Sequence, residues 1–433
     1  MNRFFLVLLL CGAGVEAEVV EPGARPIDLA ETIRMALEGS PRVRIALLRV
    51  ERSATDMALV RSERSMQLGA GSGLGATHGI PQSIQGAAPS VAQVTLRQPL
   101  IDARRPRRAA AARARARSAG HEAAGEAEGS AYRAGLLYLD FEFAQRELAR
   151  LESELDHFRR IERLARLRVE EGVEIPLALS RARLDAARAG ERLDAARSRT
   201  ELLEAELRFL LGLGPDVRLR PDRANGDRTR LLEQSARSAD PRPLAEHPAM
   251  VSLAEEIDAA RHRAGAARAS RFPKVDVVGQ YSLLGRFNNY DEFFRRFQRH
   301  NWQAGVALEL PLFGSRGVAE EVARARLEER ELEVRRETKR SELELQGQRA
   351  LAGLRAAERG AELARQELEF ARESLDVLLA RFEEEQIPLD ELERARVLES
   401  TAWGGLVSSR YALAKAQLGV VYATGRIRDA FAD

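Results

Sequence analysis

The sequence predicts an α+β protein in which very long antiparallel coiled-coil helices are combined with four short amphipathic strands, arranged as two internal repeats. Two observations support this fold class. The same order of elements occurs twice, at a spacing of about 212 residues, far longer than the units of solenoids or propellers. Proline is absent from two stretches of roughly 70 residues, and because proline breaks helices, each stretch is free to form one continuous helix.

The repeat is visible in two pairs of motifs. In the first half, Val94–Leu100 precedes a charged helical stretch that breaks at Glu174–Leu177. In the second half, Val306–Leu312 precedes another helical stretch that breaks at Gln386–Leu389. We therefore predict a first repeat over residues 18–240 and a second over 241–433. The predicted strands lie at about 66–78, 90–100, 273–286 and 301–312, the helical hairpins at about 103–212 and 315–425, and a connecting segment at 213–240.

Residues 1–17 have the pattern of a secretory signal peptide. Arg3 supplies a positive charge, Phe4–Leu10 is apolar, and Ala17 ends an A-x-A-like cleavage site. Cys11 is the only cysteine, so the mature chain would form no disulfide. The alternative, acylation of Cys11 as in a bacterial lipoprotein, is disfavoured by the bulk of Leu10 before it.

Both predicted hairpins carry coiled-coil spacing. After Pro176, apolar and small residues alternate in steps of four and three. This seam comprises Ile175, Leu179, Ala182, Ala186, Ala189, Leu193, Ala196, Thr200, Leu203, Leu207 and Leu210. The facing stretch contributes Leu148, Leu151, Leu155, Phe158 and Ile161, and the second half has a noisier seam at Ala395, Ala402, Leu406, Leu413, Ala416 and Val420. We predict two antiparallel hairpins whose small residues allow close helix packing.

The four predicted strands alternate with a period of two, so that one face is apolar and the other mostly polar. The positions on the apolar face are Leu68, Ala70, Ser72, Leu74, Ala92, Val94, Leu96, Val275, Val277, Tyr281, Leu283, Trp302, Ala304, Val306, Leu308 and Leu310. Strands of about ten residues with this alternation are typical of outer-membrane barrels. No stretch after the signal peptide approaches the roughly 18 to 20 apolar residues of a membrane-spanning helix, so a membrane segment would have to be built from strands. The joining loops, 78–90 and 286–301, would then lie outside the cell.

Four strands raise a problem of closure. A membrane barrel needs about eight strands at least, and an open sheet edge in lipid leaves backbone groups without hydrogen bonds. We therefore predict that the chain forms a homotrimer, in which three copies supply a twelve-stranded barrel with a polar lumen.

The sequence predicts no catalytic or cofactor-binding site. The six histidines lack ligand spacing, and no nucleophile elbow or phosphate loop is present, so we assign no catalytic, cofactor or metal site and expect no enzyme. The arginine-rich run 104–117 could indicate nucleic-acid binding. The signal peptide and the lack of interleaved aromatic residues favour instead the start of a helix below the barrel wall, with no nucleic-acid partner.

The chain resembles the TolC family of outer membrane efflux proteins. The resemblance rests on Pro41–Leu68 and its counterpart Pro248–Val275, on the strand endings Gln98–Asp102 and Leu310–Gly314, and on Leu210–Gly212 at the close of the first hairpin. It implies a homotrimeric barrel in the outer membrane, continued by a helical tunnel through the periplasm. It further implies an exit duct that docks with a periplasmic adaptor (membrane fusion) protein and an inner-membrane transporter, in an efflux or type I secretion system.

The resemblance also implies a functional site at the hairpin tips. The family narrows its entrance with acidic residues just past the second tip, which here correspond to Asp390 and Glu393. Ordinary solvated helix charges remain an equal alternative for both. The candidate adaptor-docking tips are Gly172, Val173, Glu174, Pro176, Glu385, Gln386 and Pro388. Proline at both tips departs from the family's commoner small polar residues.

A different class of function is an exported coiled-coil scaffold without a pore. This alternative accounts for the heptads but leaves unexplained why four alternating segments occupy equivalent places in the two halves. The transported cargo is not specified by any motif in the chain.

Overall fold

The computed structural model describes residues 24–73, 90–172, 174–222, 232, 234, 236, 244–284, 298–310, 315–384, 386 and 389–431. The predicted signal peptide with Cys11, and most of both predicted outer loops, lie outside the described residues. The described helices are α1 (Leu29–Gly39), α2 (Pro41–Ser62), α3 (Arg104–Glu170), α4 (Pro176–Leu211), α5 (Pro248–Ala269), α6 (Ser315–Glu383), α7 (Leu389–Ala423) and α8 (Ile427–Ala430). The described strands are β1 (Arg25–Ile27), β2 (Gln67–Gly73), β3 (Ser90–Ile101), β4 (Leu219–Pro221), β5 (Lys274–Leu284) and β6 (His300–Glu309).

The lengths of the elements reproduce the predicted duplication. Helices α2 and α5 both begin with proline and both contain 22 residues. Helices α3 and α6 contain 67 and 69 residues, and α4 and α7 contain 36 and 35. A helix of that greater length extends about 100 Å at 1.5 Å per residue. None of the helices in the described part of the chain contains an 18-residue window apolar enough to cross a membrane.

The chain divides into two compact units. The first comprises residues 1–32 and 137–228. In it, β1 and β4 form a parallel two-stranded sheet in which Arg25 pairs with Leu219. Glu204, which is 6% exposed, accepts hydrogen bonds from the Leu219 backbone N–H (2.9 Å) and from Arg208 Nη1 (3.0 Å). This small sheet was not predicted, because strands of three residues are too short to show a period.

The first hairpin is stabilised by a leucine and alanine seam within this unit. Leu151 and Leu155 of α3 pack against Ala189 and Leu193 of α4, and all four are buried. A left-handed Gly212 (φ 69°) ends α4, a conformation in which a residue without a Cβ is favoured.

The predicted seam is correct in its middle and wrong at its ends. Ile161 is 38% exposed, so it does not belong to the buried face. At the other end Glu204 and Leu211 are buried, whereas the predicted Leu203 and Leu210 are only half-buried. The reason is geometric: a straight α-helix drifts by about 20° per heptad relative to a strict 3.5-residue repeat.

The second unit comprises residues 33–136 and 229–433. It contains a four-stranded antiparallel sheet in the order β2-β3-β5-β6, so one strand pair comes from each repeat. In the second hairpin, Ala364 and Leu368 of α6 pack against Leu406 of α7. The noisier seam is correct at Ala395, Leu406 and Val420, which are buried, and displaced at Leu413 and Ala416, where Ala414 and Gln417 are buried instead.

Helices of the two repeats also pack closely within this unit. The rings of Tyr132 on α3 and Tyr422 on α7 stack with centroids 4.3 Å apart and planes 4° from parallel. A Cβ at Gly129 would lie 3.8 Å from the Tyr422 hydroxyl, and one at Gly419 would lie 3.7 Å from the Tyr132 hydroxyl. At Gly135 an added Cβ would come within 2.7 Å of Cδ2 of the fully buried Leu418, so a larger residue here would have to displace that side chain.

Candidate functional site

The register of the four-stranded sheet places the predicted apolar residues on one continuous face. Residues that pair across antiparallel strands lie on the same face of a sheet. Leu68 pairs with Leu96, and Leu96 pairs with Gly279, which pairs with Ala304. The parallel row Ala70, Val94, Tyr281 and Trp302 is joined in the same way. The alternation read from the sequence is therefore confirmed in the described part of all four strands, apart from register shifts at Gly71/Gly73, Ser90/Ala92 and Pro99/Ile101.

This apolar face is exposed in the single chain. Leu68, Trp302, Val306 and Leu308 have exposed fractions of 69%, 77%, 67% and 68%. Large contiguous apolar patches are rare on soluble proteins, and they mark sites of contact with other proteins or with membranes. The face is therefore suited to contact with lipid.

The opposite face carries polar side chains that bind one another. Arg97 Nε donates to Asp276 Oδ2 over 2.8 Å, and Gln303 Nε2 donates to Gln280 Oε1 over 3.2 Å. Asp276 is 4% exposed, so its charge is compensated by Arg97 rather than by water. The residues were predicted as polar positions, but their contacts were missed, because a diagonal pair becomes visible only when the register between two distant strands is known.

The two outer strands of the sheet, β2 and β6, each pair on one side only within the described residues. A strand edge presents a row of N–H and C=O groups, which lipid cannot hydrogen-bond. Further strands would have to pair with both edges for the backbone groups of the sheet to be hydrogen-bonded within a membrane.

An ionic cluster lies where β3 passes into α3. The Asp102 carboxylate accepts hydrogen bonds from Arg104 Nε and from the Arg104 backbone N–H, both over 3.0 Å, and Arg105 lies 3.3 Å away. Burial alone would raise the pKa of Asp102, but the hydrogen bonds from Arg104 and the charges of both arginines outweigh it and lower the pKa to about 2. The cluster fixes the direction in which the helix leaves the strand.

The first hairpin tip is a short turn built on a left-handed glycine. Gly172 has a φ of 73°, and its N–H donates to the Val169 carbonyl over 3.1 Å. The Glu174 N–H donates to the Arg168 carbonyl, also over 3.1 Å, and Pro176 begins α4. Glu174 and Pro176 are exposed, whereas the predicted docking residue Val173 lies outside the described residues.

The second tip is described only in part. The Gln386 N–H donates to the Arg381 carbonyl over 2.9 Å, as expected where a helix ends. Asp390 and Glu393 lie within α7, but their side chains are outside the described part of the structure, as are Glu385 and Pro388. The acidic constriction and the docking tips therefore stay predictions.

Comparison with known proteins gives a family match over the second half of the chain and a fold over most of its length. Residues 242–426 match the model of the outer membrane efflux protein family. No sequence among the characterised proteins searched is significantly similar to the chain.

Solved structures match almost the whole chain. CusC, whose structures are described as showing the changes that accompany folding and transmembrane channel formation, is 16% identical, with a TM-score of 0.72 over 94% of this chain and 95% of its own. The CmeC outer membrane channel of Campylobacter jejuni is 14% identical, with a TM-score of 0.71 over 92% and 85%. The outer membrane protein VceC of Vibrio cholerae is 15% identical, with a TM-score of 0.69 over 92% and 96%. At such low identity these likenesses establish the fold.

The TolC-like resemblance predicted from the sequence is thereby confirmed: the chain has the fold of the outer membrane channels along most of its length, and its second half matches the outer membrane efflux protein family.

Proposed function

We propose that three copies of this chain close a twelve-stranded barrel in the outer membrane, and that their long helices continue it as an exit duct through the periplasm. The observation that carries this proposal is the four-stranded sheet, with one exposed apolar face, one polar face and two unpaired edges. Lipid can cover the apolar face, but only another strand can satisfy the edges. Pairing β6 of one copy with β2 of the next would satisfy them in every copy.

The duct acts as a passive conduit rather than as an enzyme. On the polar face of the sheet, charges occur in opposite pairs, Arg97 with Asp276 and Lys274 with Glu309. Paired charges give a wall of low net charge, which discriminates weakly between cargoes. Selection of cargo would then belong to an inner-membrane transporter, joined to the duct through a periplasmic adaptor that docks at the tips.

The narrowest part of the duct would lie at the tips. In a trimer, three copies each of Asp390 and Glu393 would face the axis, and a ring of carboxylates attracts cations and hinders anions. The second tip follows the end of α6 that is farther from β6, so it is placed to move when an adaptor binds.

The experiment that tests the proposal is reconstitution of the purified mature protein in planar lipid bilayers. A duct gives discrete conductance steps and, in deletion strains, restores export only when its adaptor and transporter are present. A soluble, elongated protein without conductance would instead favour the coiled-coil scaffold.

A further inference from the structure

Exposed arginines gather where the helices meet the strands. Helix α2 ends just before β2, α5 ends just before β5, and α3 begins just after β3. These three junctions carry Arg64, Arg107, Arg108, Arg268 and Arg271, all of them exposed, and we name this set the basic collar.

The collar is one surface on a shared framework. Arg105 of α3 donates to the Glu63 carbonyl at the end of α2, and Gln98 Nε2 of β3 donates to the Arg64 carbonyl over 3.1 Å. The stem of Arg107 crosses α5 at Gly265, where an added Cβ would lie 3.0 Å from Arg107 Cδ. The ends of α2 and α5 are therefore both held against the start of α3.

Most of the collar's charge is uncompensated. Arg108 lies 3.9 Å from Glu63, but within the described residues no carboxylate lies within 4.0 Å of the guanidinium of Arg64, Arg268 or Arg271. Farther along the long helices many arginines have acidic partners three or four residues away. Examples are Arg146 with Glu142, Arg335 with Glu331 and Arg340 with Glu344. The collar is thus a local excess of positive charge on a chain whose net charge is only +2.

The collar lies at the level expected for lipid headgroups. Phe272, 61% exposed, follows Arg271 directly, and Tyr281, 41% exposed, lies nine residues further along β5 beside Trp302. Nine residues extend about 30 Å along a strand, and a tilt of 35° to 45° reduces this to about 23 Å across the membrane. That is close to the apolar band of about 25 Å between the two aromatic girdles of an outer-membrane barrel. Aromatic residues at these two levels mark the interfaces, and the collar adjoins the one nearer the helices.

We propose that the basic collar binds phospholipid headgroups of net negative charge, such as phosphatidylglycerol, in the leaflet that faces the long helices. The inference rests on the proposed membrane barrel, and adds to it a lipid-binding surface and the chemistry of its ligand. Guanidinium groups bind phosphate by paired N–H donors. A basic residue next to an anionic leaflet contributes about fivefold to the strength of association.

The test compares lipids retained by the intact trimer. The wild-type protein and the triple variant Arg64→Gln/Arg268→Gln/Arg271→Gln are assembled in nanodiscs of equal parts phosphatidylglycerol and phosphatidylethanolamine. Native mass spectrometry then gives the ratio of the two lipids that remain bound. The control Arg349→Gln/Arg355→Gln/Arg359→Gln removes the same number of exposed arginines from the middle of α6.

We expect the ratio of bound phosphatidylglycerol to bound phosphatidylethanolamine to be at least about tenfold lower in the collar variant than in wild type, because each copy loses three charges. The control should stay within about twofold of wild type, and Arg64→Lys/Arg268→Lys/Arg271→Lys should keep most of the preference. If the Gln variant still forms a conducting trimer and its lipid ratio is unchanged, the proposed lipid binding by the collar is refuted, while the proposed duct function is not affected. If the Gln variant does not assemble, the lipid ratio of the wild-type protein is compared in 50 and 500 mM salt. A preference for phosphatidylglycerol that does not change with salt would exclude electrostatic binding by the collar. A wild-type protein that neither trimerises nor conducts would refute the proposed function instead.

Discussion

The two ends of helix α6 meet different surroundings, and their sequences differ accordingly. Its first residues follow the amphipathic sheet, where apolar side chains alternate with polar ones and arginines lie at the junctions. Its last residues lead into an acidic turn, with Glu383, Glu384 and Glu385 before the break and Asp390, Glu391 and Glu393 after it. At the end of α6 that follows the sheet, the placement of apolar and polar side chains depends on the register of the strands, because a shift of one residue exchanges the two faces. The tip is distinguished instead by its acidic composition.

The largest expected effect comes from placing a charge on the lipid-facing side of β6. Val306→Arg or Leu308→Arg should prevent assembly, because a charge near the bilayer midplane costs about 2 to 4 kcal/mol per copy and each trimer carries three. Heat-modifiable trimers on gels and conductance in bilayers measure the loss.

Ala307→Arg is the matched control for this prediction. Ala307 pairs with Asp276 on the polar face, so an arginine there faces the lumen and should be tolerated. Equal damage at all three positions would show that the two faces are assigned wrongly.

A smaller effect is expected in the helical connection between the two ends. Leu368 is 5% exposed and packs against Ala364 and Leu406. Leu368→Ala should lower the free energy of unfolding by about 2 to 5 kcal/mol, through lost burial and the cavity that remains. Leu363→Ala, at a 57% exposed position on the same helix, should change it by less than about 0.5 kcal/mol. Hydrogen exchange of α6 and α7 measures the difference, and equal effects would contradict the assigned seam.

A pH-dependent effect is expected at the junction between β3 and α3. The folded pKa of Asp102 is about 2, below its ordinary value of 3.8. The folded protein therefore favours the ionised carboxylate, and this stabilisation is complete above about pH 4 and is lost as the pH falls towards 2. We expect Asp102→Asn to lower stability at pH 7 by about 1 to 2 kcal/mol.

The difference in thermal stability between wild type and Asp102→Asn should shrink as the pH falls from 5 to 2. A difference that stays constant over this range would mean that the Asp102 charge does not stabilise the junction.

The smallest effect on stability, and the clearest on conduction, is expected at the acidic tip. Asp390→Ala/Glu393→Ala should leave the trimer intact while lowering cation preference and weakening block by multivalent cations. Glu358→Ala/Glu373→Ala removes two exposed acids from the second half of α6 and serves as the control. If selectivity and block are the same in both variants and in wild type, Asp390 and Glu393 are ordinary solvated charges.

Elements with a sustained period could be predicted from the sequence. The hairpin seams followed from a period of 3.5, and the strands with the opposite orientations of Val306 and Ala307 followed from a period of 2. The lengths of the two longest helices followed from the absence of proline, and the structure agrees. The ends of the seams could not be predicted, since the drift of a straight helix accumulates along it and moved burial from Leu210 to Leu211.

Contacts between distant segments also could not be predicted from the sequence. The pair Arg97 and Asp276 depends on the register between β3 and β5, which are separated by about 180 residues and belong to different repeats. The position of each tip followed from the break in the helical pattern. Its constriction and docking roles were predicted from family resemblance alone, because a few carboxylates on a charged helix have no period of their own.

The central claim, closure of the barrel by three copies, is tested most directly by the mass of the protein in mild detergent. Multi-angle light scattering with the detergent mass subtracted should give three chains, stable enough to persist at low concentration. Cysteines introduced on facing positions of β2 and β6 should form crosslinks between copies. A stable monomer that inserts in lipid and conducts, without crosslinks between β2 and β6, would contradict the claim.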